Sequence, residues 1–498
     1  MGIIQRDALR TMLISYFGLV LGYLNKAVLF IVILTTEEIG LINLILSVGM
    51  FFAQIAGLGT INTISRFSPF FRNSSKNNYG FLKLTVLIVG VGSIFASGLT
   101  YLIEDWVVTH YQKKSPDFVH YYYWIIPVGI ANVYLLLFSW HLRAIFKNVL
   151  PVFINEIGTR MLVMILLFTL YFELISFEVF LILNCLLYIV PTFVLFGYLI
   201  YLGEIKSLRV KMNISRRFRG ILLKFSLFSY MNTLGTVMIT MLDVTMIALF
   251  IGLEGVGVYT TIIYLTSALQ VPYSALLRIA SPFVPVYWKE RKMKEMEVLY
   301  KDVSSINLII GCTLFLLVWV SRVDIFSLLP EGFQPGIWVF LFLMSGRLID
   351  MYMGINSIIL LTSKKYKIDI FFTVILLIQA FTLNYLLIPK YGIIGAAIAT
   401  MAAVSIYNLF RMFYVWYQYK IHPFKSSHAL VILLLFMTIV ITEIIPSVSE
   451  NFFMNGIVQS AEVLILFVIP IVYFKLEPQL NDYFDKVWLK LVKKKSDS

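Results

Sequence analysis

The stretch "LTTEEIGLI" (residues 34–42) returns as "IGLEGVGVY" (251–259), with Glu37 and Gly40 recurring as Glu254 and Gly257, each shifted by 217 positions. Each copy lies between two long apolar segments. The same shift carries the third, fourth and fifth apolar segments onto the ninth, tenth and eleventh. It also carries the turn "FELISF" (172–177) onto the neighbourhood of "PKYGII" (389–394). A constant offset that preserves segment order implies two halves of six segments each. An even number of spans per half makes the halves parallel repeats rather than inverted ones.

The composition sets the medium. Of 498 residues, 60% are hydrophobic and 13% charged, which places the chain among membrane proteins. About 20 apolar residues cross the hydrocarbon core as a helix. Runs of that length recur, without the every-second-residue alternation of a membrane barrel. About fourteen segments are expected, at 10–34, 39–65, 80–103, 119–142, 150–172, 177–201, 220–250, 255–286, 303–328, 336–361, 367–388, 391–418, 429–446 and 455–474. The expected fold is an all-α polytopic bundle: two six-helix lobes (1–202 and 220–419) joined by a basic linker (203–219), two additional transmembrane helices (420–474), and a tail (475–498). The first apolar run is too long for a signal peptide and lacks a small-residue cleavage site, so it is read as a retained span.

Orientation follows from the Lys and Arg residues. With the amino terminus in the cytoplasm, 32 of the 40 fall in cytoplasmic connections and tails, and Lys113, Lys114, Arg322 and Lys390 fall on the opposite side. This asymmetry predicts that both termini are cytoplasmic. The net charge of +13 is then a topology signal and an attraction to anionic membrane lipids, and nucleic-acid binding is not needed to explain it. The linker "GEIKSLRVKMNISRRFRG" (203–220) is expected along the membrane surface. In the tail, Leu480, Phe484, Val487, Trp488 and Leu491 fall at helical spacing beside lysines, which predicts an interfacial amphipathic helix. Cys185 and Cys312 lie in apolar segments without metal-ligand spacing and read as core residues.

Four basic residues remain inside the bilayer: Lys26, Arg160, Arg278 and Arg347. A charge there is costly, so each faces a partner or a cavity. Arg160 follows Glu156 by one turn and Arg347 precedes Asp350 by three residues, so an intrahelical ion pair and a cavity-lining role are both open for them. Lys26 and Arg278 have no acid at helical spacing. Their partner is a residue on another helix or a phosphate of a substrate. Pro272 and Pro282 flank Arg278 and predict a kinked segment. Asp243, in "ITMLDVTMIALF" (239–250), sits 217 positions after Lys26. A salt bridge between those two is one reading; a ligand to a small cation coupled to movement is the other.

Beyond these residues, "LDVTMIALFIGLEGVGVYT" (242–260), "GINSIILLTSKKYKID" (354–369) and "LNYLLIPKYGIIGAAIAT" (383–400) resemble the multidrug/oligosaccharidyl-lipid/polysaccharide exporter superfamily. The Wzx-type exporters of lipid-linked oligosaccharides are the most similar branch. The resemblance implies a MATE-like fold and a flippase, not an enzyme, acting on polyprenyl-diphosphate-linked O-antigen, capsule or exopolysaccharide repeat units in a bacterial cytoplasmic membrane. Polysaccharide polymerase and glycosyltransferases are the partners it implies. By position it assigns Lys26 and Arg278 to a cavity facing the substrate diphosphate, although no basic residue falls in segment two; Arg160 and Arg347 are the further candidates to line it. It also implies a coupling-ion site, for sodium or a proton and with no other cofactor, on Asp243, Asn384, the Ala396 carbonyl and Thr400. Ala380 departs from that pattern because a methyl cannot coordinate a cation, leaving Gln379 or water. The last two segments are expected to form a groove for the lipid tail, with Glu462 unexplained. A cation-coupled multidrug exporter is the nearest alternative. Catalysis, as a glycosyltransferase or polymerase, is disfavoured because the longest outer loop, with Glu104, Asp105 and His110, shows no catalytic constellation.

Overall fold

A computed structural model describes residues 3–71, 80–206, 216–365, 367–445 and 452–478. The described residues are helical, with no strand among them. That is what hydrocarbon demands, since a helix satisfies its backbone hydrogen bonds within one segment. Among the described residues, eleven helices are long and apolar enough to cross a membrane, twelve when the bent pair Gly336–Tyr352 and Asn356–Thr362 (51°) counts as one span.

In chain order they are α1 (Arg10–Ile33), α2 (Thr36–Gly57), α3 (Phe81–Leu102), α4 (Tyr122–Ala144), α5 (Val149–Tyr171) and α6 (Phe177–Tyr201). Then come α7 (Arg216–Phe250), α8 (Leu253–Glu290), α9 (Met293–Val320), the bent α10 just given, α11 (Lys367–Tyr419), α12 (Ser427–Ile444) and α13 (Met454–Tyr473). Two differences separate this count from the fourteen expected. The eleventh and twelfth segments count once within Lys367–Tyr419 but are two helices joined across a kink at Gly392 (φ 62°, ψ −142°), a backbone state that glycine adopts without steric cost. The seventh segment lies within the 35-residue helix α7 and is not among those eleven. Most of the expected linker and most of the amphipathic tail lie outside the described residues.

The chain forms two compact units, Met1–Leu265 with Asn384–Ala396, and Thr266–Leu383 with Ala397–Ser498. Packing thus groups the chain differently from its repeat.

In the first unit the quoted stretch starts α2 through a capping box: Glu38 N donates to Thr35 Oγ1 (3.3 Å) and Thr35 N donates to Glu38 Oε2 (2.8 Å). Two otherwise orphaned backbone donors are satisfied this way. The two copies of the stretch then meet each other. A Cβ on Gly40 would lie 1.9 Å from the Leu253 carbonyl oxygen, and one on Gly257 would lie 1.9 Å from the Thr36 carbonyl oxygen. Thr36 and Leu253 share the 217 offset, so the contact is reciprocal, as across a local twofold axis. Only glycine permits it. Gly40→Ala and Gly257→Ala are each expected to cost about 1–3 kcal/mol, seen as a lower midpoint of thermal unfolding in detergent. Because they share one contact, the double variant should lose less than the sum of the two.

In the second unit α12 and α13 pack on α9 through Leu308, Cys312, Leu316, Val431, Val463 and Phe467. Polar contacts pin both ends of this pair. Arg322 pairs with Glu443 (2.5 Å), Asn455 donates to Asp324 (2.5 Å), and Lys425 bridges Asp302 (2.8 Å) and Glu477 (3.0 Å). Burial alone would lower the Lys425 pKa, but the two carboxylates outweigh it and hold the amine above its ordinary value. The two cysteines are free and buried. Large apolar side chains such as Ile94, Leu102 and Val32 are exposed, as on a surface that faces lipid.

Candidate functional site

Lys26 lies on a π-helical turn, Leu24–Leu29, within α1. Such a turn carries one extra residue and often marks a functional position in a helix. Its half-buried amine donates to Asn43 Oδ1 (2.8 Å) and sits 3.9 Å from the centroid of the Phe30 ring. Asn43 Nδ2 in turn donates to Thr260 Oγ1 (2.9 Å). Asn43 and Thr260 are themselves 217 positions apart, so a residue and its repeat mate close the chain of bonds. Among the described residues no carboxylate pairs with Lys26, and the alternative of a salt bridge to Asp243 is not what the chain forms.

Arg160, on α5, pairs with Glu156 (3.0 Å), with the two side chains 30% and 36% exposed. The intrahelical pair open from the sequence therefore forms. It too follows a π-helical turn, Ile154–Gly158. Asn25 Nδ2 donates to the Arg160 carbonyl (2.7 Å), joining α1 to α5 beside Lys26.

Asp243 is 4% exposed. Its Oδ1 accepts from Asn384 Nδ2 (2.7 Å) and its Oδ2 accepts from the Tyr259 hydroxyl (2.7 Å). This answers what keeps a carboxylate in an apolar helix: a buried charge persists when hydrogen-bonded. Asn384 Oδ1 is buried without a partner. With the Asp243 and Tyr259 oxygens it supplies the hard donors that a sodium ion takes. Ala396 is fully buried in the same unit. Thr400, half-buried, and Ala380, buried, belong to the second unit.

In the second unit Arg347 donates to Thr266 Oγ1 (3.2 Å). Asp350 Oδ1 takes its hydrogen bond from Asn408 Nδ2 (2.9 Å), with the Arg347 and Arg411 guanidiniums acting at longer range. Arg411 pairs with Asp369 (2.6 Å). Arg278 is exposed on the helical piece Gln270–Ala280 and makes no side-chain hydrogen bond or ion pair among the described residues. The helix breaks before Pro282, as the flanking prolines predict, and it tightens into a 3-10 turn at Ser267–Leu269 before Pro272.

The sequence-derived residues thus fall into separate groups: Lys26, Arg160, Asp243, Asn384 and Ala396 in the first unit, and Arg278, Arg347 and Thr400 in the second. Asn43, Thr260 and Tyr259 escaped the sequence reading. The signal for two of them was present, since extending the quoted stretches by one residue reaches Asn43 and Thr260. Tyr259 closes the quoted repeat, and a phenol in an apolar run needs a partner for its hydroxyl.

No family model matches the chain. It is 24% identical over 486 residues to an uncharacterized membrane protein of Methanocaldococcus jannaschii, covering 93% of this chain and 92% of that one. Among solved structures, lipid II flippase MurJ in an inward closed conformation superposes with a TM-score of 0.71 at 14% identity, over 93% of this chain and 98% of that chain. An inward-facing multidrug resistance MATE family transporter of the MOP superfamily superposes with a TM-score of 0.62 at 14% identity, over 79% and 92%. The fold is that of MurJ and the MATE transporters.

Proposed function

We propose that this protein is a flippase that carries polyprenyl-diphosphate-linked oligosaccharide across a cytoplasmic membrane by ion-coupled alternating access. The cargo class is an O-antigen, capsule or exopolysaccharide repeat unit, with glycosyltransferases and a polymerase acting before and after it. The observation that carries this reading is Lys26: an interior amine, set on a π-helical turn, held by an amide and an aromatic ring and, among the described residues, by no acid. An uncompensated cation in a low-dielectric interior favours an anionic ligand, and a diphosphate supplies charge-assisted hydrogen bonds. The likeness to a lipid II flippase supports the same substrate class.

The account gives each group a task. Lys26 receives the diphosphate; Arg278 and Arg347 are the further basic candidates, and Arg160 stays paired with Glu156. Asp243 and Asn384, with the Ala396 carbonyl, hold a sodium ion or a proton whose release is linked to movement. Both termini face the cytoplasm, in keeping with the distribution of Lys and Arg. The likeness to a MATE transporter favours a second reading, a cation-coupled multidrug exporter. The two separate in proteoliposomes. The flippase should transfer a fluorescent polyprenyl-diphosphate sugar between leaflets and leave a lipophilic cationic dye in place. Export of the dye without transfer of the lipid would establish the exporter instead.

A further inference from the structure

The first unit gathers aromatic hydroxyls around Arg160 that gripping a phosphate does not require. A Cβ on Gly22 would lie 2.5 Å from the Tyr264 hydroxyl and 3.1 Å from Arg160 Nε, so phenol and guanidinium converge on one bare face of α1. The rings of Tyr23 and Tyr264 are 5.1 Å apart, and the Tyr23 hydroxyl donates to the Tyr264 carbonyl (3.3 Å). Tyr188 lies within electrostatic reach of Arg160 and is half-buried; its carbonyl accepts from Thr192 Oγ1 (2.7 Å), and its hydroxyl makes no hydrogen bond among the described residues. Arg160 Nη1 is buried without a partner.

The backbone around this cluster is irregular on three spans at once. π-helical turns lie at Leu24–Leu29 on α1 and Ile154–Gly158 on α5, and α6 is interrupted between Leu186 and Ile189, beside Tyr188. Irregular backbone at membrane depth is tolerated where it lines a polar cavity or is buried in protein. The 154–158 turn packs on the part of α1 before its π-helical turn and on the second piece of α6.

We propose that Tyr23, Tyr188 and Tyr264, with the Arg160–Glu156 pair, form a subsite for a sugar ring, one helical turn from Lys26. This rests on the flippase reading and adds a place for the glycan. The chemistry divides the two neighbours. Lys26 has no acid and suits an anion. Arg160 already has Glu156, whose charge repels phosphate, while the pair presents donors and acceptors side by side for adjacent hydroxyls. Flat phenol rings with polar tips complement a sugar's C–H face and its hydroxyl edge. Glu156 also acts on Arg143 at the end of α4, so the cluster as a whole keeps one positive charge in excess. A phosphate site is therefore the alternative that the experiment must separate.

The test uses the full-length protein in lipid nanodiscs and two probes, polyprenyl diphosphate and polyprenyl diphosphate carrying N-acetylglucosamine. Wild type should bind the sugar-bearing probe roughly tenfold more tightly. Tyr264→Leu and Tyr188→Leu should bring the ratio of the two Kd values to about one, whereas Lys26→Gln should weaken both probes and keep the ratio. Monodisperse elution and retained binding of the sugar-free probe show that each variant is folded. If both tyrosine variants keep the tenfold preference, or weaken the two probes equally as a phosphate site would, the sugar subsite is wrong. Wild type that binds both probes without preference also overturns the subsite but leaves the flippase reading standing. Wild type that binds neither probe overturns both.

Discussion

Replacing Lys26 by alanine is expected to lower transfer of the lipid-linked glycan by roughly two orders of magnitude while the protein stays in the membrane at its normal level. A hydrogen bond to a charged group is worth about 1.5–3 kcal/mol, and each 1.4 kcal/mol is about tenfold, so the upper end of that range gives the estimate. The variant should fold because Lys26 neutralises no buried acid. What it loses is one bond to Asn43 and a ring contact. Lys26→Arg, which keeps the charge, should retain a measurable fraction of the rate. A radiolabelled carrier assay in reconstituted vesicles reads both variants. Equal rates for wild type and Lys26→Ala would remove the amine from the substrate path. Arg278→Ala gives a companion measurement, since that side chain is exposed and has no partner among the described residues.

The second large effect concerns coupling. Transport by Asp243→Asn should lose its response to an imposed sodium or proton gradient. Coupling free energies between sites are about 1–3 kcal/mol, so a wild-type stimulation of roughly tenfold or more is expected to fall to none. The substitution keeps the shape and one carbonyl acceptor for the Asn384 and Tyr259 donors, and it removes the negative charge that a cation or proton would answer. Tyr259→Phe leaves the carboxylate with one hydrogen bond fewer and should weaken coupling without abolishing it. Initial rates with and without each gradient decide the matter. A full gradient response in Asp243→Asn would remove this carboxylate from coupling and leave it a structural hydrogen-bond acceptor.

The fold was legible because its determinants are one-dimensional. Spans appear as unbroken apolar runs, and within the first unit Gly40 meets Leu253 and Gly257 meets Thr36 at the offset of 217. The end of one span and the start of the next were marked by "PKYGII", where Gly392 kinks the chain between two helices.

Of the candidate site, the charged residues were visible because an ionisable group in hydrocarbon is expensive and therefore rare. Their partners were not. Asn43, Thr260, Tyr259 and Asn408 are uncharged and occur in membrane helices for many reasons, and nothing in their spacing points at Lys26, Asp243 or Asp350. The π-helical turns beneath Lys26 and Glu156 have no sequence signature either, since each depends on packing between helices. For Arg160 the sequence offered its i−4 acid and the pair formed. For Arg347 it offered Asp350, yet Asp350 takes its hydrogen bond from Asn408 on a helix fifty-eight residues away.

The most direct measurement is a structure of the protein in nanodiscs with polyprenyl diphosphate bound. The expected result is a phosphate oxygen about 2.7–2.9 Å from Lys26 Nζ, the length of a charge-assisted hydrogen bond. A carrier headgroup seated elsewhere, with the Lys26 amine held only by Asn43 and Phe30, would contradict it.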